Sequence, residues 1–271
     1  MSQGTPSRFD VVIPFSGRTD RLRYCISSLA RTAGGGQVRI VLVADPGEED
    51  RAAAARGWGD GGLCIDVVAL PRPAGPIAAY QAGIEAGSAE FVVLAPADSC
   101  ATPGWTECFA ACFDSDPAIG IATPLGNLGP FNAIAMPPGQ NHIDLALSVS
   151  THAPRFPDTA TTDASFMALR RSMLESIGGF DPLYVTGCAD GSELAMRAGY
   201  LGWRTALVDH CFIFRFGCGD AAAEARAPQN RLMLLERWRH RHVASIEAMD
   251  RIPKPEPQDG GKASFPAIQW I

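Results

Sequence analysis

Short apolar runs alternate with helix-forming stretches along the first hundred residues, and this alternation limits the fold more than any other feature. Runs rich in valine, leucine and isoleucine occupy residues 9–14, 38–44, 63–70 and 91–95. The predicted helices between them occupy residues 21–32, 48–56 and 77–86. Alternating strands and helices are typical of an α/β fold, in which helices cover both faces of a mostly parallel sheet. The sequence therefore predicts a three-layer sandwich with a mostly parallel central sheet.

The second half of the chain is less regular. We predict helices at residues 103–113, 171–177 and 193–201, and strands at residues 119–123, 164–170 and 205–208. Residues 124–162 are rich in proline, glycine and threonine without a period, so we expect a long loop there, and the overlapping uncharged stretch 117–143 is a candidate lid. The uncharged residues 117–143 are numerous enough to cross a bilayer, but repeated prolines and glycines interrupt any spanning helix. We therefore expect a soluble protein.

Charge and composition exclude several classes of protein. The chain has 23 basic and 29 acidic residues, and its net charge of −6 argues against general nucleic-acid binding. A hydrophobic share of 46% excludes disorder over most of the chain. Eight cysteines without a Cys-x-x-Cys pair are too sparse for a disulfide scaffold or a zinc cluster. The polar amino terminus lacks the apolar core of a signal peptide, so we expect free thiols and a cytoplasmic location.

The last part of the chain differs from the rest. Residues 231–249 are predicted as an amphipathic helix with an apolar stripe and a basic patch, and the proline-containing tail after Arg251 as extended. We therefore divide the chain into a main domain at residues 1–226 and a C-terminal helix with its tail at residues 227–271. The basic helix could dock on the main domain or make peripheral contact with an anionic membrane surface.

Polar residues follow three of the four predicted N-terminal strands. Ser16 and Arg18 come after the first strand, Asp45 after the second, and Asp98 with Ser99 after the fourth. In parallel sheets, ligands bind beyond the carboxyl ends of the strands. Each residue also has a local explanation, since Asp45 begins an Asp-Pro-Gly turn and strand ends are commonly polar. Their shared placement favours a single binding site at this edge of the sheet.

Four segments, in order along the chain, resemble those of family 2 glycosyltransferases of the GT-A fold. They are VVIPFSGR at residues 11–18, VLVADPG at residues 41–47, the Gly-rich helix and acidic motif at residues 72–99, and the acceptor-side segment at residues 166–205. Such enzymes transfer a sugar from a nucleotide-diphospho-sugar donor with inversion at the anomeric carbon. The resemblance implies this activity, a GT-A-like three-layer sandwich, and a carbohydrate, lipid-linked or small-molecule acceptor.

The resemblance also implies roles for single residues. Asp45 would hold the nucleoside, and Asp98 would hold a divalent cation, Mn²⁺ or Mg²⁺, on the donor diphosphate. Asp190 matches the general base that deprotonates the acceptor hydroxyl. On the acceptor side the implied residues are Glu193, Arg197 and Trp203, beside the segment 124–162. The implied donor-binding residues are Pro14, Phe15, Ser16, Arg18, Asp45, Gly75, Ala79, Ala97, Asp98 and Ser99.

Three departures from the family pattern bear on this chemistry. Pro96 stands where the family often has an acid two residues before Asp98, and Arg215 stands where it often has a metal-binding histidine. The family often has an acid pair at the position of Asp190, and here only one carboxylate is present. We therefore hypothesise that Arg215 contacts the donor phosphates and partly replaces the cation, since guanidinium groups pair bidentately with phosphate.

Two other interpretations follow from the same residues. The missing acids suggest a catalytically silent relative that binds a nucleotide sugar or a protein partner. Asp190 and Glu193 also match a helix-capping box, which would give both residues a structural role.

Overall fold

A computed structural model of the chain describes most of the residues up to Trp238. The described residues are 7–33, 38–58, 63–73, 75–129, 132–159, 162, 165–184, 190–217, 229–230, 232–234 and 236–238. Of Asp190, only the backbone belongs to this set.

The strands of the described residues form one sheet. They are β1 (Phe9–Phe15), β2 (Val38–Ala44), β3 (Cys64–Ala69), β4 (Phe91–Leu94), β5 (Ser99–Cys100), β6 (Ile119–Gly126), β7 (Met167–Arg170) and β8 (Arg204–Arg215). Their order across the sheet is β3-β2-β1-β4-β7-β6-β8-β5. Strands β7 and β5 run antiparallel to their neighbours, whereas the others share one direction. The expectation of a mostly parallel sheet is confirmed.

Helices cover both faces of this sheet. They are α1 (Thr19–Thr32), α2 (Glu49–Ala54), α3 (Gly75–Ala86), α4 (Trp105–Ser115), α5 (His142–Ser150), α6 (Arg171–Ile177) and α7 (Asp190–Tyr200). Helices α1, α2 and α4 contribute to one hydrophobic core, and α3, α6 and α7 to a second core on the opposite face. The α/β three-layer sandwich predicted from the sequence is therefore confirmed.

The apolar character of the strands follows from burial on both faces. In β1, Val11 and Ile13 point into the first core, whereas Val12 between them points into the second. Helix α1 needs only one apolar stripe, and its buried residues Leu22, Ile26 and Leu29 have the spacing of a single helix face. A continuous apolar run therefore predicts a central strand, whereas apolar residues at helical spacing predict a helix that covers the sheet.

The chain reverses its direction across the sheet between β1 and β4. After β1 it moves outward through β2 to β3, and α3 then carries it back to β4 on the other side of β1. Helix α1, which follows β1, packs on one face of the sheet, whereas α3, which leads into β4, packs on the other. Open α/β sheets bind ligands in the crevice formed by such a reversal. The fold therefore places the candidate site beyond the carboxyl ends of β1, β2 and β4.

A buried ion-pair network ties the sheet together near the start of β1. The carboxylate of Asp10 is 1% exposed and accepts hydrogen bonds from the backbone N–H groups of Ser88 and Ala89, each at 2.7 Å. It also accepts from Arg39 of β2 at 2.8 Å and from Arg171 of α6 at 3.2 Å. One carboxylate thus joins β1, β2, α6 and the loop before β4. It lies at the opposite end of the strand from the candidate site.

The long segment after β6 is more regular than the sequence analysis predicted. We expected an irregular loop over residues 124–162, whereas β6 extends to Gly126 and α5 lies within the segment. A capping box begins α5, because Asn141 accepts from the N–H of Asp144 and the Asp144 carboxylate accepts from the N–H of Asn141. Buried residues of α5 pack on β6 and β8, so this part of the expected loop belongs to the core. Strand β6 likewise occupies the first part of the candidate lid at residues 117–143.

The last strand is also longer than predicted. We expected a strand at residues 205–208, whereas β8 extends to Arg215. The pairing of β6 with β8 shifts between Pro124 and Leu125, and the polar residues Asp209 and His210 lie at this irregularity. These two residues interrupt the apolar pattern but not the strand. The extension matters for function, because it carries Arg215 to β5.

Most of the predicted C-terminal helix at residues 231–249 lies outside the described residues. Its described part is helical, and Trp238 packs against Tyr184 and against Met196 of α7. Among the described helices, none combines the length and apolar composition that a bilayer crossing requires. The domain division after residue 226 and a peripheral membrane contact stay predictions. The six described cysteines are free thiols, as expected, and Cys188 and Cys218 lie outside the described residues.

Candidate active site

The loops that follow β1 and β2 touch each other at the carboxyl edge of the sheet. The N–H of Asp45 donates to the carbonyl of Phe15 at 3.0 Å. Gly17 has a positive φ of 97°, and a Cβ added there would lie 3.0 Å from the Glu48 carboxylate. A larger residue at position 17 would thus be strained and crowded. Ser16 beside it is exposed, and Asp45 is half-buried.

Asp98 forms an ion pair with Arg215 beyond the end of β4. The side chain of Asp98 is 3% exposed, and that of Arg215 is 24% exposed. Nε and Nη2 of Arg215 donate to Oδ1 of Asp98 at 3.2 and 3.0 Å, and Nη2 also lies 3.3 Å from Oδ2. The N–H of Gly217 donates to Oδ2 at 3.1 Å. Each carboxylate oxygen therefore has a donor, and the guanidinium balances the charge of the carboxylate.

The backbone holds this ion pair in place. Strand β5 pairs antiparallel with β8, and the register sets Ser99 opposite Arg215. On the other side of Arg215, the amide of Asn127 accepts from its N–H at 2.7 Å and donates to its carbonyl at 2.8 Å. Sequence analysis missed Asn127, because it falls in the glycine-rich segment that lacks a period. An asparagine that bonds the backbone of a distant strand leaves no pattern in the sequence.

Helix α1 connects the loop after β1 to this ion pair. The guanidinium of Arg21 lies 4.6 Å from the ring centroid of Phe216, the residue after Arg215. Tyr24 meets the same ring edge-on at 5.0 Å. Farther along α1, the hydroxyl of Ser28 accepts from the N–H of Ala101 at 3.0 Å. The loops after β1 and β4 are thus parts of one packed surface.

The predicted donor-binding residues divide into an accessible and a buried group. Phe15, Ala79 and Ser99 are buried, and the first two pack in the hydrophobic cores. The hydroxyl of Ser99 hydrogen-bonds to none of the described residues. The residues that keep exposed surface are Pro14, Ser16, Arg18, Asp45, Gly75 and Ala97. The accessible group and the Asp98–Arg215 pair are the parts of the donor prediction that a ligand could reach, and their binding roles stay predictions.

The described residues do not offer a set of ligands for a divalent cation. They contain no group of three histidine, cysteine, aspartate or glutamate side chains that could hold a metal. Pro96 supplies no carboxylate, and both oxygens of Asp98 accept hydrogen bonds from Arg215 and Gly217. Hard cations such as Mg²⁺ need several oxygen ligands, usually including one or two carboxylates. The residues present therefore fit a guanidinium better than a metal ion.

Two of the predicted acceptor-side residues hold α7 against the end of α6. Glu193 is buried and pairs with Arg197 at 2.8 Å. Arg197 also donates to the carbonyls of Ile177 and Gly179, at 2.7 and 2.8 Å. One of these carbonyls belongs to the last residue of α6, where helix carbonyls lack partners within the helix, and the other lies just beyond it. The indole N–H of Trp203 donates to Ser176 of α6 at 3.1 Å.

Asp190, the predicted base, is the first residue of α7, and its side chain lies outside the described part of the chain. Because Glu193 and Arg197 fix α7, the backbone position of Asp190 is tied to the same helix pair. The catalytic role of Asp190 and contacts between the acceptor and Glu193, Arg197 or Trp203 stay predictions.

Comparison with curated proteins gives a distant relative. Over 198 residues the chain is 27% identical to the pre-mycofactocin glycosyltransferase of Mycobacterium tuberculosis. The alignment covers 67% of this chain but only 38% of that protein. The chain thus spans well under half the length of the curated relatives it matches.

Solved structures share the fold at low sequence identity. GalNAc-T7 with UDP, GalNAc and Mn²⁺ has a TM-score of 0.65 at 14% identity, covering 86% of this chain and 48% of that one. TarS 1–349 of S. aureus in complex with UDP-GlcNAc has a TM-score of 0.61 at 12% identity, covering 90% and 70%. The mannosyltransferase PcManGT from Pyrobaculum calidifontis in complex with GDP-Man and Mn²⁺ has a TM-score of 0.59 at 16% identity, covering 91% and 74%. These similarities establish a GT-A-type fold.

The family itself follows from a match over more than half of the chain. The sequence model of glycosyl transferase family 2 matches residues 10–178, which include all but the first residue of β1, the elements from α1 to α6, and Asp98. The fold, the topological reversal and the order of the four sequence segments agree with this match. The chain therefore belongs to glycosyl transferase family 2.

Proposed function

We propose that the chain transfers a sugar from a nucleotide-diphospho-sugar to an acceptor hydroxyl, with inversion at the anomeric carbon. One observation carries the proposal: the buried carboxylate of Asp98, paired with the partly exposed guanidinium of Arg215, lies at the sheet reversal of a family 2 chain. A diphosphate leaving group needs positive charge and N–H donors at such a position. The nucleotide sugars named with TarS and PcManGT support the same class of donor.

The donor would lie across the carboxyl ends of β1, β2 and β4. The half-buried carboxylate of Asp45 can accept hydrogen bonds from the ribose or base of the nucleoside. Ser16 and Arg18 of the neighbouring loop are exposed and can contact the phosphates. The guanidinium of Arg215 takes the position next to the departing diphosphate. These residues bind and orient the donor, and they neutralise charge that develops on the leaving group.

The acceptor would approach from the side of α7. In this mechanism Asp190 takes the proton from the acceptor hydroxyl as its oxygen attacks the anomeric carbon. The bond between that carbon and the diphosphate oxygen breaks at the same time, and the nucleoside diphosphate leaves with the electron pair. Attack from the face opposite the leaving group inverts the configuration. The Glu193–Arg197 pair would keep the start of α7 at a fixed position for this step.

Release of nucleoside diphosphate from a panel of UDP-, GDP- and dTDP-sugars, each with simple sugar and lipid-linked acceptors, tests the proposal. We expect one donor class to be turned over, and the anomeric configuration of the product to be inverted by NMR. Asp190→Asn should abolish turnover and leave donor binding intact. Asp50→Asn, at an exposed position of α2, is the matched control and should behave like the unchanged protein.

The alternative of a catalytically silent binder rests on the missing acids at Pro96 and beside Asp190. Tight donor binding with no turnover by any acceptor in the panel would favour this alternative over the enzyme. Near-normal turnover by Asp190→Asn would instead support the enzyme and show that Asp190 is not the general base.

A further inference from the structure

We propose that Arg215, paired with Asp98, takes the place of a divalent cation at the donor diphosphate, so that nucleotide binding needs no metal. The inference rests on the proposed function, because it concerns the donor of that reaction. It follows from the contacts of Asp98, from the hydrogen-bonding capacity of Arg215 and from the charge balance of the two residues together.

A cation would have to displace existing contacts of Asp98. The carboxylate is almost fully buried and accepts from Nε and Nη2 of Arg215 and from the N–H of Gly217. A metal ion bound to Asp98 would lie beside a guanidinium held within hydrogen-bond distance of the same carboxylate, and the two positive charges would repel each other. Arg215 cannot relieve this by losing its proton, because guanidinium groups stay protonated in proteins.

Arg215 keeps capacity for a phosphate. Of its side-chain nitrogens, Nε and Nη2 donate to Asp98, while Nη1 donates to none of the residues that the structure describes. The side chain is about one quarter exposed, so a ligand can reach it. The Asp98 carboxylate and the amide of Asn127 fix the guanidinium and its backbone before any donor binds. A preorganised donor of this kind binds an anion without a cost of reorganisation.

The charge balance supports the same conclusion. In the family pattern, two acids and a divalent cation sum to zero. Here Pro96 removes one negative charge, and one Asp98 carboxylate with one Arg215 guanidinium also sums to zero. Both departures from the pattern thus compensate each other, and together they leave the net charge beside the diphosphate unchanged. Neither Pro96 nor Arg215 alone would keep this net charge the same.

Calorimetric titration of UDP and GDP into the full chain, in EDTA and in Mn²⁺, tests the proposal. For the nucleotide that binds, we expect the Kd to differ by less than about threefold between the two conditions. Arg215→Ala should weaken binding by about 10- to 100-fold, as expected for a charge-assisted hydrogen bond, in both conditions alike. Arg215→Lys, which keeps the charge, should lose less. Arg8→Ala is the control and should have no effect, because Arg8 is similarly exposed (27%) and also pairs with an aspartate, Asp114, but lies immediately before β1, away from the site.

A double variant gives a second, independent measurement. Pro96→Asp with Arg215→His restores both ligand types of the family pattern, so we expect it to bind Mn²⁺, measured as loss of the free-ion signal in electron paramagnetic resonance. The unchanged protein should leave that signal unaltered. Circular dichroism checks that each variant folds, and if Arg215→Ala does not, Arg215→Lys and the control still give the comparison.

The possible results distinguish a failure of metal-free binding from a failure of the proposed glycosyl transfer. Nucleotide binding only in Mn²⁺, or Mn²⁺ binding by the unchanged protein, overturns the inference and leaves the proposed glycosyl transfer standing. Unchanged affinity in both Arg215 variants also overturns it. Failure of every nucleoside diphosphate and nucleotide sugar to bind in either condition refutes the proposed donor, and this inference with it.

Discussion

Replacing Asp10 with alanine should be among the most damaging single changes to the stability of this chain. The carboxylate is 1% exposed and accepts from two backbone N–H groups and from Arg39 and Arg171. Alanine offers none of these contacts. The N–H groups of Ser88 and Ala89 would lose the acceptor that they have in Asp10.

The expected cost can be worked from these contacts. Ala89 is buried, so its orphaned N–H should cost about 1–3 kcal/mol, whereas Ser88 is exposed and water can replace its acceptor. Removal of one partner from a fully buried ion pair costs about 3–5 kcal/mol. The cost of breaking the ion pairs is smaller here, because the side chains of Arg39 and Arg171 are 20% and 19% exposed and each keeps a second acceptor. The two terms sum to about 4–8 kcal/mol for fully buried groups, and the exposure of the arginines lowers the expected loss of unfolding free energy to about 3–5 kcal/mol. This is a large part of the 5–15 kcal/mol that typical domains possess.

Urea denaturation followed by circular dichroism measures this change. Asp66→Ala is the matched control, because Asp66 pairs with the same Arg39 at 3.3 Å but is 54% exposed. An exposed pair contributes about 0–1 kcal/mol, so the control should shift the midpoint only slightly. Equal shifts for the two variants would refute the reasoning that burial makes the Asp10 network strong. Below the unfolding transition, Asp10→Ala should bind the donor normally, since it lies at the far end of β1.

Three further changes test separate parts of the structure. Gly83→Ala should lower the free energy of unfolding by about 1–3 kcal/mol, because the added Cβ would lie 2.2 Å from a methyl group of Val12. An unchanged midpoint in urea would contradict the close contact of α3 with β1. Asn141→Ala should lower the free energy of unfolding by about 1 kcal/mol and speed hydrogen exchange in α5, because it removes the capping box. Exchange as slow as in the unchanged protein would argue against the cap. A hydrogen bond from the Cys211 thiol lowers the pKa of Cys108 to about 5. Because the thiolate is the reactive form, alkylation of Cys108 by iodoacetamide should be fast at neutral pH and should slow as the pH falls through this pKa. Cys211→Ala should move this profile to higher pH, measured by peptide mapping, and an unmoved profile would show that Cys211 is not the cause.

The N-terminal half of the fold could be predicted because its signals are local. Strand β2 has the predicted bounds, and β1 differs only by one residue at its end. Burial on both faces demands a largely apolar run, and both strands have one. The polar residues after these strands follow from the same logic, since a parallel sheet gathers its carboxyl ends at one edge.

The later elements depend on contacts that the sequence pattern does not report. Helix α5 has only three buried residues and begins at a capping box, so its amphipathic signal is weak among prolines and glycines. The Asn141 and Asp144 pair was nonetheless a usable signal for its start. Strand β8 continues through Asp209 and His210 because a shift in pairing with β6 absorbs them.

Arg215 was predicted from the resemblance, but its partner was not. Position 215 was identified as a departure from the family pattern, and the structure adds that its guanidinium bonds directly to Asp98. That bond requires the two-residue strand β5, which is too short to have a sequence signature, and the Asn127 amide on the other side. Side-chain contacts between distant strands are set by register, which only the folded sheet defines.

The ion pair between Asp98 and Arg215 joins residues 117 positions apart and so has a consequence for biosynthesis. Strands β1 to β4 and the Asp98 loop leave the ribosome well before β8 is synthesised. Until β8 joins the sheet beside β6, the carboxylate lacks its guanidinium partner, and β5 lacks the strand it pairs with. Long-range strand pairing is a slow step in folding. Completion of the sheet and assembly of the Asp98–Arg215 pair are therefore a single late event, and we expect a nascent or truncated chain that lacks β8 to lose affinity for the proposed donor.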